Sequence, residues 1–322
     1  MDLLTLTHSE MSNFRRCRKQ WDYSYRQLIK PRCDMPPLFL GSKVHDALAA
    51  FYSGIAIAVC MQQFLERTTA RISKLKEDNL VGSQGLQYLQ EAADLGAAML
   101  TAYFAFAVKY DSWQVSKAET GAPLIELAMS AMLPTPAGNV SNKFEYAGKL
   151  DGVATVAGAG PYLLEHKTAR MWSETDMDLL PLDMQTLGYA WLYWQNFKVM
   201  PVGIIYNVMI KSQLRLGKKE TPEEFTARRL ADYAERPEFY FRRAVVAFDP
   251  ETVIGFGDVL YDIAKDMSPH PRIYRNVGKM SCGFGCSYRQ LCTSYDNASI
   301  REANYIAKRG KHEELMMGED DE

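Results

Sequence analysis

No run of about eighteen or more apolar residues occurs in this chain, and Met1-Asp2-Leu3 does not begin a basic segment followed by an apolar one. The first absence argues against a membrane-spanning helix, and the second argues against a secretory signal. With 322 residues, of which 47% are apolar, the chain can bury a large core in one domain or in two closely packed ones. We therefore expect a soluble, cytoplasmic protein that has no membrane partner.

A strong net charge is also lacking. The formal net charge is −2, so the total charge does not indicate a nucleic-acid-binding protein. The charges are unevenly distributed, because basic residues are concentrated near the N-terminus and the chain ends with Gly318-Glu319-Asp320-Asp321-Glu322. A basic face is compatible with a phosphate-backbone partner, although from charge alone a solvated helix face is the better interpretation. The basic residues in question are Arg15, Arg16, Arg18, Lys19, Arg26, Lys30 and Arg32.

Cysteines are few, and three of the six lie within eleven residues of one another, at Cys282, Cys286 and Cys292. In a chain without a secretory signal, a disulfide framework is disfavoured, and metal or cluster ligation becomes the leading use of such a set. A fourth thiolate must come from elsewhere, and Cys17 and Cys33 are the candidates. Four thiolates suit either a tetrahedral zinc ion or a 4Fe-4S cluster. Because zinc sites usually show two close pairs, one distant cysteine with a close trio favours the iron–sulfur cluster.

The hydrophobic pattern predicts an α/β domain with a small central mixed sheet flanked by helices and with a helical N-terminal lobe. A proline-rich loop is expected between the first two helices, and residues 211–229 read as a mobile or nucleic-acid-facing loop that leads into a short helix. Helices are predicted at 9–27, from Gly41 onward, and at 61–110, 183–197 and 250–265. Strands are predicted at 123–129, 144–156, 162–167, 202–210 and 239–248.

Two of these predicted strands carry charged residues that suit a metal site. Asp151 ends one apolar run, and Glu165 and Lys167 end the next, where strand alternation turns both to one face and His166 to the other. If the two runs pair as a hairpin, two carboxylates and an ammonium converge, which suits a hard divalent cation and phosphodiester hydrolysis. Taken singly, Asp-Gly is commonly a turn and Glu-x-Lys a solvated face. Together, next to a predicted core, they favour function, because ionised groups rarely lie there without a partner.

Two further motifs are weaker on their own. Gln185 and Tyr189 are four residues apart on an aromatic-rich helix and therefore share a face. On this evidence alone, the better interpretation is that Tyr189 packs with Leu192 and Tyr193 in the core. His45 follows Gly41 by four residues in the first turn of its predicted helix, and neutral imidazole is a good metal ligand. A single histidine on an apolar face is nevertheless more often a hydrogen-bonded core residue.

Taken in order, these residues resemble the RecB-like branch of the PD-(D/E)XK nuclease superfamily. The resemblance is strongest to members with an iron–sulfur cluster, such as the CRISPR-associated RecB-family exonucleases and the AddB-type nuclease domains. It extends over almost the whole chain, and six motifs in order are specific although each alone is loose. The motifs are Ser9 to Tyr25 with Cys17, Gly41-x-x-x-His45, Gly148-x-Leu150-Asp151, Glu165-x-Lys167-Thr168, Gln185-x-x-x-Tyr189 and the cysteine trio.

The resemblance implies a restriction-endonuclease-like core and a DNA substrate, either single-stranded or with duplex ends, that is cleaved by an exonuclease. It implies that Mg²⁺ or Mn²⁺ is held by His45, Asp151, Glu165 and the backbone carbonyl of His166. It also implies that Lys167 orients water or neutralises the phosphate while Gln185 and Tyr189 position the strand. The 4Fe-4S ligands implied are Cys17, Cys282, Cys286 and Cys292, with zinc the less favoured occupant.

The resemblance also implies a setting in a bacterial or phage-infected cell, with recombination, repair or CRISPR-type processing as the role. Recombination, helicase or CRISPR proteins are then possible partners. We expect a single nuclease domain over residues 1–310, with a helical insertion at about 46–115 and iron–sulfur-tethered termini, followed by a disordered acidic tail at 311–322.

The sequence departs from the family pattern in one respect, because three residues rather than two separate Cys282 and Cys286. Glu126 corresponds loosely to a glutamate of the preceding strand in the family. Two alternatives remain open. One is a catalytically silent iron–sulfur or zinc DNA-binding subunit of a nuclease complex, and the other is a zinc-stabilised hydrolase that acts on a substrate other than nucleic acid.

Overall fold

A computed structural model describes residues 3–33, 36–268, 271–283 and 286–315 of the chain. Its strands are β1 Leu4–Leu6, β2 Ile29–Pro31, β3 Trp113–Val115, β4 Ile125–Pro134, β5 Val140–Val156, β6 Pro161–Ala169, β7 Gly203–Ile210, β8 Phe241–Ala247 and β9 Tyr305–Ala307. Its longer helices are α1 His8–Arg16, α3 Pro36–Tyr52, α4 Ile57–Glu77, α5 Ser83–Tyr110, α7 Met184–Phe197, α8 Pro222–Glu235 and α10 Pro250–Met267. Short helices are α2 Arg18–Trp21, α6 Glu174–Asp178, α9 Pro237–Tyr240, α11 Lys279–Gly283, α12 Arg289–Thr293 and α13 Ala298–Asn304.

The described residues form a seven-stranded mixed sheet, in which the strand order is β1-β5-β6-β7-β8 while β3 and β4 pair with β5. The pairs β1–β5 and β6–β7 are parallel, and the remaining pairs are antiparallel. Every residue of β7 is buried, as expected for a central strand covered on both faces. The predicted α/β fold with a central mixed sheet flanked by helices is therefore confirmed.

The helices form two groups around this sheet. Helices α7 and α10 contact each other and pack against β4 and β5. Helices α3, α4 and α5 contact one another, and α3 also reaches β4 and β6. By length and composition α5 is apolar enough to cross a membrane, yet half of its most apolar stretch is buried within the protein. This burial is typical of a core helix.

Two predictions about the N-terminal region are wrong in detail. The single helix expected at 9–27 is interrupted at Cys17, whose backbone is extended with φ −161°, and a π-helical turn, Asp22–Arg26, follows α2. Residues Pro36 and Pro37 were expected in a loop but begin α3. Proline is tolerated in a first helical turn, because the amide hydrogen that it lacks has no acceptor there.

The C-terminal segment returns to the start of the chain. Strand β9 pairs with β2, and Glu313–Leu315 forms a 3₁₀ turn. Lys311 and His312 both contact the buried carboxylate of Glu10, at 2.9 and 2.7 Å. The prediction of a disordered tail from residue 311 is therefore wrong for 311–315, because these ion pairs hold the segment on α1. Residues 316–322, including the acidic run, lie outside the described residues.

Candidate metal centre

The strands β4, β5 and β6 bring acidic residues to one point of the sheet. In β4 and β5, Ile125 pairs with Gly152 and Leu127 pairs with Leu150. The antiparallel ladder between β5 and β6 ends at the pair Gly152 and Leu164. The next residues along these three strands are Glu126 in β4, Asp151 in β5 and Glu165 in β6. The hairpin predicted from the two apolar runs is thus present.

Asp151 is held by two donors from different elements. The backbone N–H of His166 donates to Oδ2 of Asp151 at 2.7 Å, and Nδ1 of His45 lies 3.2 Å from Oδ1. Burial alone would raise the pKa of Asp151, but the neighbouring His45 charge and these hydrogen bonds hold it well below its usual range. Burial would likewise lower the pKa of His45, yet Asp151 raises it to about 9. In the metal-free protein the pair is therefore an ionised carboxylate beside an imidazolium.

Glu165 is almost fully buried and contacts Lys167. Nζ of Lys167 lies 2.5 Å from Oε1 of Glu165, whereas Oε2 is buried and has no hydrogen-bond partner among the described residues. Burial raises the pKa of Glu165, Lys167 opposes the rise, and Asp151 adds to it, giving a value of about 7. Burial would lower the pKa of Lys167, but the carboxylate of Glu165 raises it above its usual range. An unsatisfied buried carboxylate oxygen is costly unless a cation approaches it.

The hydrogen bonds continue from Lys167 to α7. Nζ of Lys167 donates to Oε1 of Gln185 at 3.0 Å, and Nε2 of Gln185 donates to the hydroxyl of Tyr189 at 3.0 Å. A Cβ atom at Gly148 would approach Cε1 of Tyr189 to 2.8 Å, so this position of β5 has no room for a side chain. The structure therefore brings Glu165, Lys167, Gln185 and Tyr189 into one connected network.

Glu126 is a site residue to which the sequence analysis gave little weight. One potential ligand atom from each of His45, Glu126 and Asp151 lies within 4.8 Å of the others. Glu126 has a left-handed backbone with φ +52°, and its carboxylate lies 2.5 Å from Nζ of Lys149. A left-handed glutamate within a strand is strained, and such strain clusters at functional sites. The sequence signal for it is its loose correspondence to a glutamate on the preceding strand of the family.

The four predicted metal ligands are not all equivalent in this arrangement. His45 and Asp151 belong to the close group with Glu126, while Glu165 is not part of that group because its carboxylate turns towards Lys167. The carbonyl of His166 belongs to the same residue whose N–H binds Asp151. Its side chain is buried, and burial lowers the pKa of His166 to about 4, so the ring is neutral.

A cavity of about 660 Å³ opens beside this centre. His45, Lys167 and Thr168 line this cavity, and residues 37–39 and 41–43 near the start of α3 form another part of its wall. Lys43 and Arg71 add positive charge to the lining. The cavity therefore joins the acidic centre to a surface that is suited to an anionic substrate.

The cysteines predicted to bind a cluster come from both ends of the chain and meet near the second, two-stranded sheet. Burial raises the pKa of Cys286, and the nearby thiols of Cys17 and Cys282 raise it further. Nε of Arg275 donates to Sγ of Cys292 at 3.1 Å. Cys33, the other candidate, packs in a different cluster with Phe39 and Leu75. Among the described residues, no three of these sulfur atoms lie within 4.8 Å of one another.

The basic residues near the N-terminus are largely used within the protein. Lys19 forms ion pairs with Asp22 and Asp296, and Lys30 pairs with Glu313. Lys19 and Lys30 therefore bind acidic residues of the C-terminal segment.

Comparison with known proteins agrees with this geometry. A family model described as the PD-(D/E)XK nuclease superfamily matches residues 5–293, which include β2 to β8 and the acidic centre. Among solved structures the chain is similar to "Crystal structure of SSO0001", with 14% identity over 71% of this chain and 81% of that chain and a TM-score of 0.31, a likeness too low to carry an argument. No curated protein matches the chain. Because the family model spans most of the sequence, this chain belongs to the PD-(D/E)XK nuclease superfamily of metal-dependent nucleases.

Proposed function

We propose that the protein is a Mg²⁺- or Mn²⁺-dependent DNA exonuclease that acts on single strands or duplex ends. The observation that carries this proposal is a pair of contact sets that meet at neighbouring residues of β6, beside a cavity lined by His45 and Lys167. One set joins His45 and Asp151 to the backbone N–H of His166, and the other joins Glu165 and Lys167 to Gln185 and Tyr189. A role in recombination, repair or CRISPR-type processing in the cytoplasm of a bacterial or phage-infected cell fits this activity. Recombination, helicase or CRISPR proteins are the corresponding partners.

The donor set at the centre fits a hard divalent cation. His45, Glu126 and Asp151 supply an imidazole and two carboxylates, and Glu165 adds a buried carboxylate oxygen without a protein partner. Carboxylate oxygen with limited nitrogen is the ligand type that Mg²⁺ and Mn²⁺ accept. When bound, such an ion supplies Lewis acidity towards the phosphate and lowers the pKa of a nearby water.

The remaining residues orient the reacting groups. Lys167 has its ammonium between Glu165 and Gln185, where it neutralises a scissile phosphate or holds the attacking water. Gln185, itself held by Tyr189, fixes Lys167 from α7, so that both residues help to position the DNA strand near the metal. Residues of α1, α3, α4 and β6 line the cavity. Its volume of about 660 Å³ suits a single DNA strand that enters by one end.

Replacement of Lys167 by Ala tests the proposal. Cleavage of labelled single-stranded and double-stranded DNA in Mn²⁺ should fall by about 100-fold or more, because a positioned charge at the phosphate is lost. The variant should still fold and bind DNA, because the buried carboxyl of Glu165 can take up a proton once its ammonium partner is gone. Lys265→Ala, at an exposed position of α10, is the matched control and should cleave normally. Unchanged turnover in Lys167→Ala would remove this residue from the site.

The type of DNA substrate distinguishes the remaining possibilities. An exonuclease degrades linear DNA and leaves covalently closed circles intact, whereas an endonuclease nicks the circles. The catalytically silent alternative predicts DNA binding without cleavage in either Mg²⁺ or Mn²⁺. The presence of Asp151, Glu165 and Lys167 together at one edge of β5 and β6 argues against that alternative.

We further propose that Cys17, Cys282, Cys286 and Cys292 bind a 4Fe-4S cluster. Cys17 and Cys282 lie close enough to Cys286 to raise the pKa of its thiol. Four thiolates suit a 4Fe-4S cluster, and one distant cysteine with a close trio favours the cluster over a zinc ion. The N–H of Arg275 directed at Cys292 is the kind of hydrogen bond that supports such ligands.

Elemental analysis of anaerobically purified protein tests the cluster. We expect a brown protein with about four irons per chain, the number in a 4Fe-4S cluster. Cys286→Ser should lose the iron and lower stability by several kcal/mol, because ligand binding and folding are coupled. Cys60→Ser, in the core of the helical group, is the control and should keep the iron. Stoichiometric zinc without iron would contradict the proposal.

A further inference from the structure

The side chain of His166 lies within a closed polar ring that the proposed chemistry does not use. Its five members come from five places in the fold: His166 on β6, Tyr52 on α3, Asp111 at the C-cap of α5, Asn207 on β7 and Arg243 on β8. Each member contacts the next, and the last contacts the first. We call these five residues the polar ring.

One half of the ring consists of directed hydrogen bonds. Nε of Arg243 donates to Oδ1 of Asn207 at 2.9 Å, which fixes the orientation of that amide. Nδ2 of Asn207 then lies 3.4 Å from Nδ1 of His166 and can only donate to it. His166 is therefore held as the neutral tautomer with its proton on Nε2. Asn207 and His166 are only 1% and 3% exposed, so water does not replace these bonds.

The other half joins the helices to the strands. Arg243 forms an ion pair with Asp111, and the hydroxyl of Tyr52 donates to Asp111 at 3.2 Å. The Tyr52 hydroxyl has one proton and donates it to Asp111. In the 2.7 Å contact between the Tyr52 and Tyr103 hydroxyls, Tyr103 is therefore the donor. The ring of Tyr52 stacks on His166, with centroids 5.1 Å apart and planes at 11°.

The polar ring is connected to the metal centre by two routes. The backbone N–H of His166 donates to Oδ2 of Asp151 at 2.7 Å. On α3, Tyr52 lies seven residues after His45, which is two helical turns along the same face. His45 in turn contacts Oδ1 of Asp151 at 3.2 Å. Both donors to Asp151 thus belong to elements that the polar ring holds in place.

We propose that Tyr52, Asp111, Asn207 and Arg243 are positioning residues that set the geometry of the metal ligands His45 and Asp151. This inference rests on the metal centre of the proposed nuclease. If one link is removed, β6 and α3 can shift relative to each other, and Asp151 loses its two fixed donors. The expected consequence is weaker cation binding rather than a slower reaction once the cation is bound.

Asn207→Leu is the first test, because it keeps the volume of the side chain and removes both of its hydrogen bonds. The dissociation constant for Mn²⁺ is measured on the whole protein without DNA, by the electron paramagnetic resonance of free Mn²⁺. It should rise by about tenfold or more, the usual effect of losing a residue that supports a metal ligand. Cleavage at saturating Mn²⁺ should return to within about threefold of the native rate, because the reacting groups are unchanged.

Tyr52→Phe provides a milder second test, since it keeps the stack on His166 and removes only the bonds to Tyr103 and Asp111. Asn196→Leu is the matched control, because this exposed asparagine bonds to main-chain carbonyls on α7 and β4, away from the centre. A folded Asn207→Leu or Tyr52→Phe protein with native Mn²⁺ affinity overturns the inference. The inference is also overturned if the native protein binds no Mn²⁺. A native protein that binds Mn²⁺ but cleaves no DNA contradicts the nuclease proposal alone.

Discussion

At the scale of single residues, Glu165 and His45 take up protons in competition with a divalent cation. The pKa of Glu165 is raised to about 7 because the carboxyl is buried, against the opposing charge of Lys167. The pKa of His45 is raised to about 9, since Asp151 outweighs the effect of burial. Cation binding needs the carboxylate form of one and the neutral form of the other. The protonated forms, which predominate below these pKa values, therefore compete with the cation.

We predict that the affinity for Mn²⁺ rises with pH from 6 to 9. Below each pKa the binding constant should gain about tenfold per pH unit for each proton released. Titration of the DNA-free protein with Mn²⁺ at four pH values in this range measures the slope. In Glu165→Gln the step near pH 7 should disappear while the dependence due to His45 remains. An affinity that does not change with pH would contradict the proposed protonation states.

At the scale of one element, β4 holds Glu126 in a left-handed conformation opposite Asp151. For a residue other than glycine this conformation costs about 1 kcal/mol. The strand tolerates it because Ile125 and Leu127 on either side pair normally with β5. The strained backbone of Glu126 lowers the stability of the fold but places its carboxylate beside His45 and Asp151. This indicates that the conformation is kept because it serves cation binding.

We predict that Glu126→Gly folds at least as stably as the native protein but binds Mn²⁺ at least about tenfold more weakly. Thermal unfolding and Mn²⁺ titration measure the two effects separately. Lys198→Gly is a matched control, because Lys198 is also left-handed, with φ +56°, at the end of α7. That control should be stabilised without any change in Mn²⁺ affinity. Native affinity in Glu126→Gly would exclude Glu126 from the metal centre.

The contrast between Asp151 and Glu126 explains how far the sequence could predict this site. Asp151, Glu165 and Lys167 end long apolar runs, so strand alternation alone gives their relative directions. Glu126 lies within its apolar run, and its left-handed backbone arises only from pairing with β5. Its role therefore depends on tertiary structure that the local pattern does not contain.

The same reasoning applies to the elements themselves. Strands β4 to β8 are long enough for their periodicity to be recognised, whereas β1 and β3 have three residues each and depend on pairing with β5. The interruption at Cys17 has no Gly or Pro to indicate it. It follows from the contacts that the C-terminal segment makes with α1 and α2, such as the bond from Asn276 to the carbonyl of Arg16.

At the scale of the whole molecule, the two ends of the chain form one structural unit. Strand β2 pairs with β9, and Tyr23, Tyr288, Leu291 and Tyr305 form a separate small core. The two ends together enclose most of the chain, so holding them together reduces the conformational freedom of a very long loop. A cluster bound by Cys17 and the C-terminal cysteines would act in the same region.

Glu10 is the residue through which this unit can be tested without removing a cysteine. Its carboxylate is fully buried and accepts from Nε1 of Trp21 at 2.9 Å, while Lys311 and His312 contact it from the C-terminal segment. We predict that Glu10→Ala lowers the free energy of unfolding by about 3 kcal/mol, because three donors lose their acceptor in a buried place. Urea unfolding measures the change.

The control for this prediction is Glu91→Ala on the exposed face of α5, where the carboxylate accepts from Gln87. That substitution should change the free energy of unfolding by no more than about 0.5 kcal/mol. The Glu10 variant should also be cleaved by protease within the C-terminal segment sooner than the native protein, since 311–315 is then held by fewer contacts. Equal unfolding midpoints for Glu10→Ala and Glu91→Ala would mean that the termini are held together without the buried carboxylate.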